Sequence, residues 1–178
     1  MIKHWRKNWG QEKLYFFWAQ LAHWKEPSEE PLEKDPWGWA EICYQQREVL
    51  DLVPDSGMAV LNDIGHHRSV HPANKIDVGK RLSLWALNRS YGKNVLPSGP
   101  LYKKAIKNGD KVTIIFDYAD SGLMTGSKYM ADPTVETSEA LGHFQICGPD
   151  RKWQWAKARI TNKNTVEVWH AAVSDPVE

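Results

Sequence analysis

The sequence predicts an α/β unit followed by a small antiparallel β unit, and three observations carry that prediction. Residues 14–19 (LYFFWA) and 58–61 (MAVL) are short apolar runs, typical of strands covered on both faces. Each run is followed by a segment with helical spacing, and the order strand, helix, strand, helix implies parallel strands. Beyond residues 96–100 (LPSGP) only short β-like segments and turns follow. We therefore expect two units, residues 1–96 and 97–178.

The two helices have recognisable ends. The first is predicted to begin at Asp35-Pro36, an N-cap followed by proline in the first turn, and to end near Leu52. The second follows His71, with Pro72 in its first turn, and Gly92 is its predicted stop. Two strands are too few for a free-standing parallel sheet, so this half of the chain is predicted to be incomplete.

The second half alternates short β-segments with turn residues. Glycine, proline, aspartate and asparagine supply the turns at 109–110, 148–150 and 162–164. The predicted β-segments are residues 111–118, 143–147, 152–160 and 165–170.

Composition excludes several function classes. Lysine and arginine number 23 against 22 aspartate and glutamate, and a formal charge of +1 gives no reason to expect nucleic acid or an anionic membrane as partner. No phosphate-binding glycine loop is present, and we expect no cofactor. No signal peptide or membrane span is predicted, so localisation stays open. Cys43 and Cys147 are expected to be free thiols.

His71 is the first candidate for chemistry. It lies in a polar loop after a buried strand and directly before a helix, and ligands of open α/β sheets bind at the carboxyl ends of the strands. An imidazole there can take a proton from a serine, provided that a carboxylate or carbonyl orients its other nitrogen. A helix-capping or loop role is the alternative. Asp63, at the end of the second strand, is either an active-site acid or the cap of a turn at Gly65.

A zinc site is a weaker hypothesis. His67 and His71 have the i, i+4 spacing of two zinc ligands, and His66 is adjacent. Gly65 and Pro72 indicate a loop instead, and no glutamate or cysteine completes a ligand set, so no metal is expected. The glycine-flanked serines read as turn residues, and none stands in a G-x-S-x-G elbow; they are Ser56, Ser98 and Ser121.

The chain resembles the sialate O-acetylesterase family along nearly its whole length. The most specific block runs from Asp63-Ile64-Gly65 through His71-Pro72-x-Asn74-Lys75 to Val78-Gly79-x-Arg81-Leu82. Further segments resemble the family in the same order: Trp5-Arg6, Phe17-x-x-Gln20-Leu21-Ala22, Trp39-Ala40 with Gln46, residues 57–60, 98–100, Gly142-x-Phe144-x-Ile146 and Trp155-Ala156-x-Ala158.

This resemblance implies a serine esterase with the flavodoxin-like SGNH-hydrolase fold that removes acetyl groups from sugars, with His71 as base and Asp63 as a possible acid. The family's Gly-x-Ser nucleophile block has no counterpart here, and Arg68 stands where many SGNH hydrolases place an aspartate. The chain is therefore expected to be a fragment that is inactive alone. Its expected partners are an acetylated carbohydrate and the missing N-terminal half. The alternative is a non-catalytic carbohydrate-binding or scaffold protein with the same fold.

Overall fold

The chain folds into two compact units. The computed structural model describes residues 1–26, 28–31 and 38–177. Met1–Lys25 and the residues from Gly38 to Gly99 form the first unit, and the second contains the residues from Pro100 onwards together with a short stretch that starts at Glu26. Within the described residues, no helix is both long enough and apolar enough to cross a bilayer.

The first unit has the predicted order of strands and helices. Phe16–Ala19 and Ser56–Ala59 pair in parallel, with Phe16 opposite Ser56 and Ala19 opposite Ala59. The second strand begins two residues before the predicted run 58–61, and all four of its residues are buried. A short helix at the N-terminus was not anticipated. The elements are α1 (Ile2–Trp9), β1 (Phe16–Ala19), α2 (Trp39–Leu52), β2 (Ser56–Ala59) and α3 (Lys75–Arg89).

The start of α3 corrects the sequence prediction. The helix begins at Lys75, three residues after Pro72, because Asn74 is its N-cap and the Asn74 side chain accepts a hydrogen bond from the Asp77 amide. Pro72 is buried in the preceding loop. Gly92, the predicted stop, has φ 59° and follows shortly after the last helical residue. The predicted Asp35-Pro36 start of α2 lies outside the described residues, whereas its predicted end at Leu52 is confirmed.

The core of the first unit lies between the strand ends and α3. Ala22, Ala59, Leu61 and Ile64 form a buried apolar cluster, against which Val78 and Leu82 of α3 pack. Val78 and Leu82 are four residues apart, so both lie on one face of the helix. This packing fixes α3 against the segment that leaves β2.

The second unit is antiparallel, as predicted. Its main sheet has the strand order β3-β4-β10-β9, and two smaller sheets pair β5 with β6 and β7 with β8. Gly109, with φ 62°, makes the turn between β3 and β4. The strands are β3 (Leu101–Asn108), β4 (Lys111–Asp117), β5 (Gly126–Ser127), β6 (Val135–Glu136), β7 (Gln145–Cys147), β8 (Trp153–Trp155), β9 (Lys157–Asn162) and β10 (Thr165–Trp169).

The β-segments differ from the prediction at several places, and the short strands β5 and β6 were not predicted. Residues 152–160 belong to two strands instead of one, because Trp153–Trp155 pairs with β7 whereas the strand that starts at Lys157 pairs with β10. β3 was not predicted at all. Seven of its eight residues are exposed, so its sequence lacks the apolar alternation by which a half-buried strand is recognised.

Candidate functional site

The candidate site follows the carboxyl ends of the two parallel strands. β1 and β2 end at the paired residues Ala19 and Ala59, and the Gln20 amide extends the contact by donating to the Ala59 carbonyl at 2.9 Å. The chain then runs from Val60 to Asn74 before α3 begins. We call residues 60–74 the histidine segment, because this stretch contains both predicted site residues, Asp63 and His71.

His71 is exposed, and its imidazole makes no hydrogen bond to any residue that the structure describes. Its backbone is held locally, since the His71 amide donates to Ser69 Oγ at 3.1 Å. The next residue, Pro72, is buried and ties this end of the segment to the protein interior. The ring is therefore accessible and has no hydrogen-bond partner among the described residues, so a further group can still bind to it.

Asp63 is paired with Arg81 of α3. Arg81 Nη1 donates to Asp63 Oδ1 at 2.5 Å, and Nη2 donates to Oδ2 at 2.6 Å, so the contact is bidentate. The hydrogen-bonded carboxylate raises the pKa of Arg81 above its ordinary value, against the opposing effect of partial burial. Among the described residues, Asp63 makes no hydrogen bond to His71. Each Asp63 oxygen keeps a further lone pair, so the carboxylate retains some accepting capacity.

The three-histidine metal set does not form within the described ranges. His66 and His67 stack on each other with ring centroids 4.7 Å apart. His66 Nδ1 is already used, because it accepts a hydrogen bond from the Arg68 amide at 3.1 Å. No group of three or more histidine, cysteine, aspartate or glutamate side chains suited to a metal ion is found in the part of the chain that the structure describes.

The histidine segment crosses the chain that leaves β1 at very close range. The His66 amide donates to the His23 carbonyl at 3.3 Å, and Trp24 forms a parallel bridge with His66. A β-carbon on Gly65 would stand 2.1 Å from the His23 carbonyl oxygen. Glycine is therefore required at this position by the close approach of two backbones.

Gln20 and Gln46 were noted in the sequence only as parts of the resemblance, and the structure gives both a contact. Gln20 Nε2 donates to the Cys43 carbonyl at 3.1 Å, and Gln46 Oε1 accepts from the Leu21 amide at 2.9 Å. Together they join the exit of β1 to α2. Gln20 is only 8% exposed, and its Oε1 is buried without a hydrogen-bond partner among the described residues. A buried acceptor of this kind normally finds a donor.

Among the residues that the structure describes, none of the three glycine-flanked serines donates a hydrogen bond to a histidine. Ser56 is not a turn residue but the buried first residue of β2, and its hydroxyl donates to the Val53 carbonyl at 2.6 Å. Ser98 lies in the first unit and Ser121 in the second. Ser69 is the serine in contact with His71, but that contact is to the His71 backbone.

Comparison with known proteins gives a likeness to a solved structure. Neither a protein-family model nor a curated protein matches the chain. Its structure is similar to the crystal structure of a carbohydrate acetylesterase from Xanthomonas citri, with 34% sequence identity and a TM-score of 0.78. The match covers 99% of this chain and 38% of the chain of that enzyme. The present chain thus corresponds to well under half the length of that acetylesterase.

Proposed function

We propose that this chain is part of a carbohydrate O-acetylesterase, a serine hydrolase in which His71 is the catalytic base. The observation that carries the proposal is the likeness to a solved carbohydrate acetylesterase over 99% of the chain at 34% identity. The exposed position of His71 beyond the carboxyl end of a parallel strand is consistent with it, since that edge is where ligands of such sheets bind.

The proposed reaction proceeds in two steps through an acetyl-enzyme. A serine hydroxyl attacks the acetyl carbonyl while His71 accepts the serine proton, and His71 then returns that proton to the departing sugar oxygen. Water, activated by the same imidazole, hydrolyses the acetyl-serine ester and releases acetate. Asp63 is the proposed acid behind His71. It would act through the lone pairs that Arg81 leaves available.

The finer assignment is to the sialate O-acetylesterases, with a flavodoxin-like SGNH-hydrolase layer. Its support is the motif from Asp63 to Leu82 and the parallel pairing of β1 with β2 around an intervening helix. Sialic acid is thereby the first acetylated sugar to test as substrate, before other acetylated glycans.

We further propose that the nucleophilic serine lies on a polypeptide segment outside these 178 residues and that the chain alone is inactive. Support comes from the 38% coverage of the Xanthomonas enzyme, which leaves most of that protein without a counterpart here.

A non-catalytic carbohydrate-binding role is the second candidate, and one observation favours it. The rings of Trp5, Trp9 and Phe16 lie within 19° of parallel in each pair, and Trp9 is 59% exposed. Exposed aromatic faces of this kind can stack on sugar rings. Sugar binding without release of acetate under any condition would favour this role.

Acetate release from an acetylated sialic acid and from an aryl acetate tests the proposal. The chain is assayed alone and together with the part of the Xanthomonas enzyme that it does not match. His71→Ala is the test variant, and His4→Ala, which alters another exposed histidine of the first unit, is the matched control.

Release that needs both polypeptides and is lost only in His71→Ala supports the proposal. Release by the chain alone, lost in His71→Ala, would keep the esterase but place the nucleophile inside these residues, with Ser69 the first to examine. Release that is equal in wild type and His71→Ala would overturn the assignment of the base.

A further inference from the structure

Arg81 contacts the beginning of the histidine segment at two separate residues. Its Nη1 donates to the Val60 carbonyl at 2.6 Å as well as to Asp63 Oδ1, and Nη2 donates to Asp63 Oδ2. One planar guanidinium thus joins a backbone carbonyl to a carboxylate three residues later. Lysine cannot reproduce this contact, because an ammonium is a point charge without the fixed fork of donors.

The end of the histidine segment is tied to the same helix. Asn74 Oδ1 accepts from the Asp77 amide at 3.0 Å, and Asn74 Nδ2 donates to Asp77 Oδ2 at 2.7 Å. Asn74 and Asp77 are both buried. Asp77 and Arg81 are four residues apart and therefore share one face of α3. The first two turns of α3 consequently hold both ends of the segment.

Between these two anchors the segment is well held up to His66 and more open after it. Leu61 and Ile64 lie in the buried cluster, and the His66 amide bonds to the His23 carbonyl. Beyond His66, the Ser69 amide bonds to the His66 carbonyl and the His71 amide bonds to Ser69 Oγ, while Arg68, Val70 and His71 are exposed. Exposed backbone with single hydrogen bonds opens easily unless its ends are fixed. The place of His71 therefore depends on the anchors more than on its own surroundings.

We propose that Arg81 is a positioning residue for His71: through Val60 and Asp63 it fixes the start of the histidine segment against α3, so that the imidazole is held where the nucleophile meets it. The expected effect of Arg81 on catalysis rests on the proposed function, whereas its effect on the position of the histidine segment concerns this chain alone. It assigns Arg81 no contact with substrate.

Amide hydrogen exchange of the 178-residue chain tests whether Arg81 holds the histidine segment, and this measurement requires no enzymatic activity. In Arg81→Gln we expect the His66 and His71 amides to exchange on the order of tenfold faster than in wild type. Arg81→Lys should lie in between. The Val166 and Val168 amides of the second unit should not change. Arg89→Gln, the same substitution at an exposed position of the same helix, is the matched control.

Acetate release by this chain together with the unmatched part of the Xanthomonas enzyme tests whether Arg81 affects catalysis. Arg81→Gln should lower kcat by about tenfold to a hundredfold, since small displacements of a reacting group are costly, while KM changes little. Arg81→Lys should recover part of the loss. A role in overall stability alone would instead reduce the amount of folded protein and leave kcat per folded molecule unchanged.

The outcomes separate the two proposals. Faster exchange in Arg81→Gln with no His71-dependent acetate release in any protein supports the anchor and overturns the proposed function. Folded Arg81→Gln with wild-type exchange at His66 and His71, or with wild-type kcat, overturns the inference. If Arg81→Gln fails to fold, Asp63→Asn replaces it in the hydrogen-exchange measurement alone, because this change weakens the same contact from the side chain that is 43% exposed. Wild-type exchange at His66 and His71 in folded Asp63→Asn would then overturn the inference.

Discussion

The indole ring of Trp85 occupies the space in which a β-carbon on Gly57 would stand. Three ring atoms lie 2.4 to 2.7 Å from that position, and Trp85 Nε1 donates to the Met58 carbonyl at 2.8 Å. Trp85 is 2% exposed, so the ring cannot swing into solvent to make room. Helix α3 therefore packs on β2 at a distance that glycine sets, and the hydrogen bond fixes the ring in place.

Gly57→Ala should destabilise the protein by about 1–3 kcal/mol, the usual cost of forcing an extra carbon into a packed core. The free energy of unfolding from urea denaturation measures it. Gly79→Ala is the control, because Gly79 lies in α3 with nothing within 4 Å of its β-carbon position. That change should stabilise the helix by about 0.5–1 kcal/mol. Equal stabilities for the two variants would contradict the packing argument.

Arg6 provides a second prediction. It is 6% exposed, and it donates from Nε to the Leu14 carbonyl at 2.9 Å and from Nη2 to the carbonyls of Pro54 and Asp55 at 2.8 and 3.2 Å. These carbonyls precede β1 and β2. Arg6→Met should cost about 1.5–3 kcal/mol of unfolding free energy, because the hydrogen bonds of a charged, buried guanidinium are lost. Lys7→Met changes an exposed neighbour in α1 and should have little effect. A loss as large in Lys7→Met would point to helix propensity instead.

The N-cap of α3 provides a third prediction. Asn74→Ala removes the acceptor of the Asp77 amide and should lower the free energy of unfolding by about 0.5–2 kcal/mol. Lys75→Ala alters the adjacent, exposed first residue of the helix and serves as the control. Thermal and urea denaturation compare the two. If both variants unfold like wild type, the cap does not determine where α3 begins.

Glu167 predicts a pH dependence in the second unit. Desolvation acts to raise the pKa of Glu167, but hydrogen bonds from Lys111 and Arg159 outweigh it and place the pKa below the ordinary 4.5. A carboxylate whose pKa is depressed on folding contributes stability above its unfolded pKa and loses it as pH falls through the folded one.

Glu167→Gln should therefore be less stable than wild type at pH 7, and the difference should shrink as pH falls below about 4.5. Urea denaturation at several pH values measures this difference in the free energy of unfolding. Glu139→Gln, at an exposed position of the same unit, should show no such convergence. A difference in unfolding free energy between Glu167→Gln and wild type that stays constant with pH would exclude the ion pairs as its cause.

The missed elements share a physical reason. α1 buries Arg6 alone and ends at Gly10 in the left-handed region, so its signal was the terminal glycine and not an apolar stripe. β3 is recognisable only by its pairing with β4. The predicted elements were those with apolar side chains at a regular spacing, such as α2 and β4, whose residues are at least partly covered in many positions. Hydrophobic spacing reports such coverage and says little about exposed segments.

At the candidate site, the sequence predicted the loop that contains His71 but not the residues that this loop contacts. It placed Asp63 at the end of a buried strand and His71 in the loop that follows, whereas the strand ends at Ala59 and both residues lie in the loop. It did not pair Asp63 with Arg81, 18 residues further along the chain. Arg81 belongs to the motif that resembles the family, yet no spacing rule predicts a contact between a loop and the second turn of the helix that follows it.

The sequence by itself determined the order β1, α2, β2, α3 in the first unit, the antiparallel character of the second and the loop that contains His71. Local patterns of burial and turn chemistry carry these features, and such patterns are written in neighbouring residues. Only the tertiary structure decided that Arg81 binds Asp63 and Val60, that Gln20 keeps a buried, unpaired oxygen, and that Gly57 and Gly65 admit no side chain. Each of these depends on how close two distant segments approach, and that distance is set by packing in three dimensions.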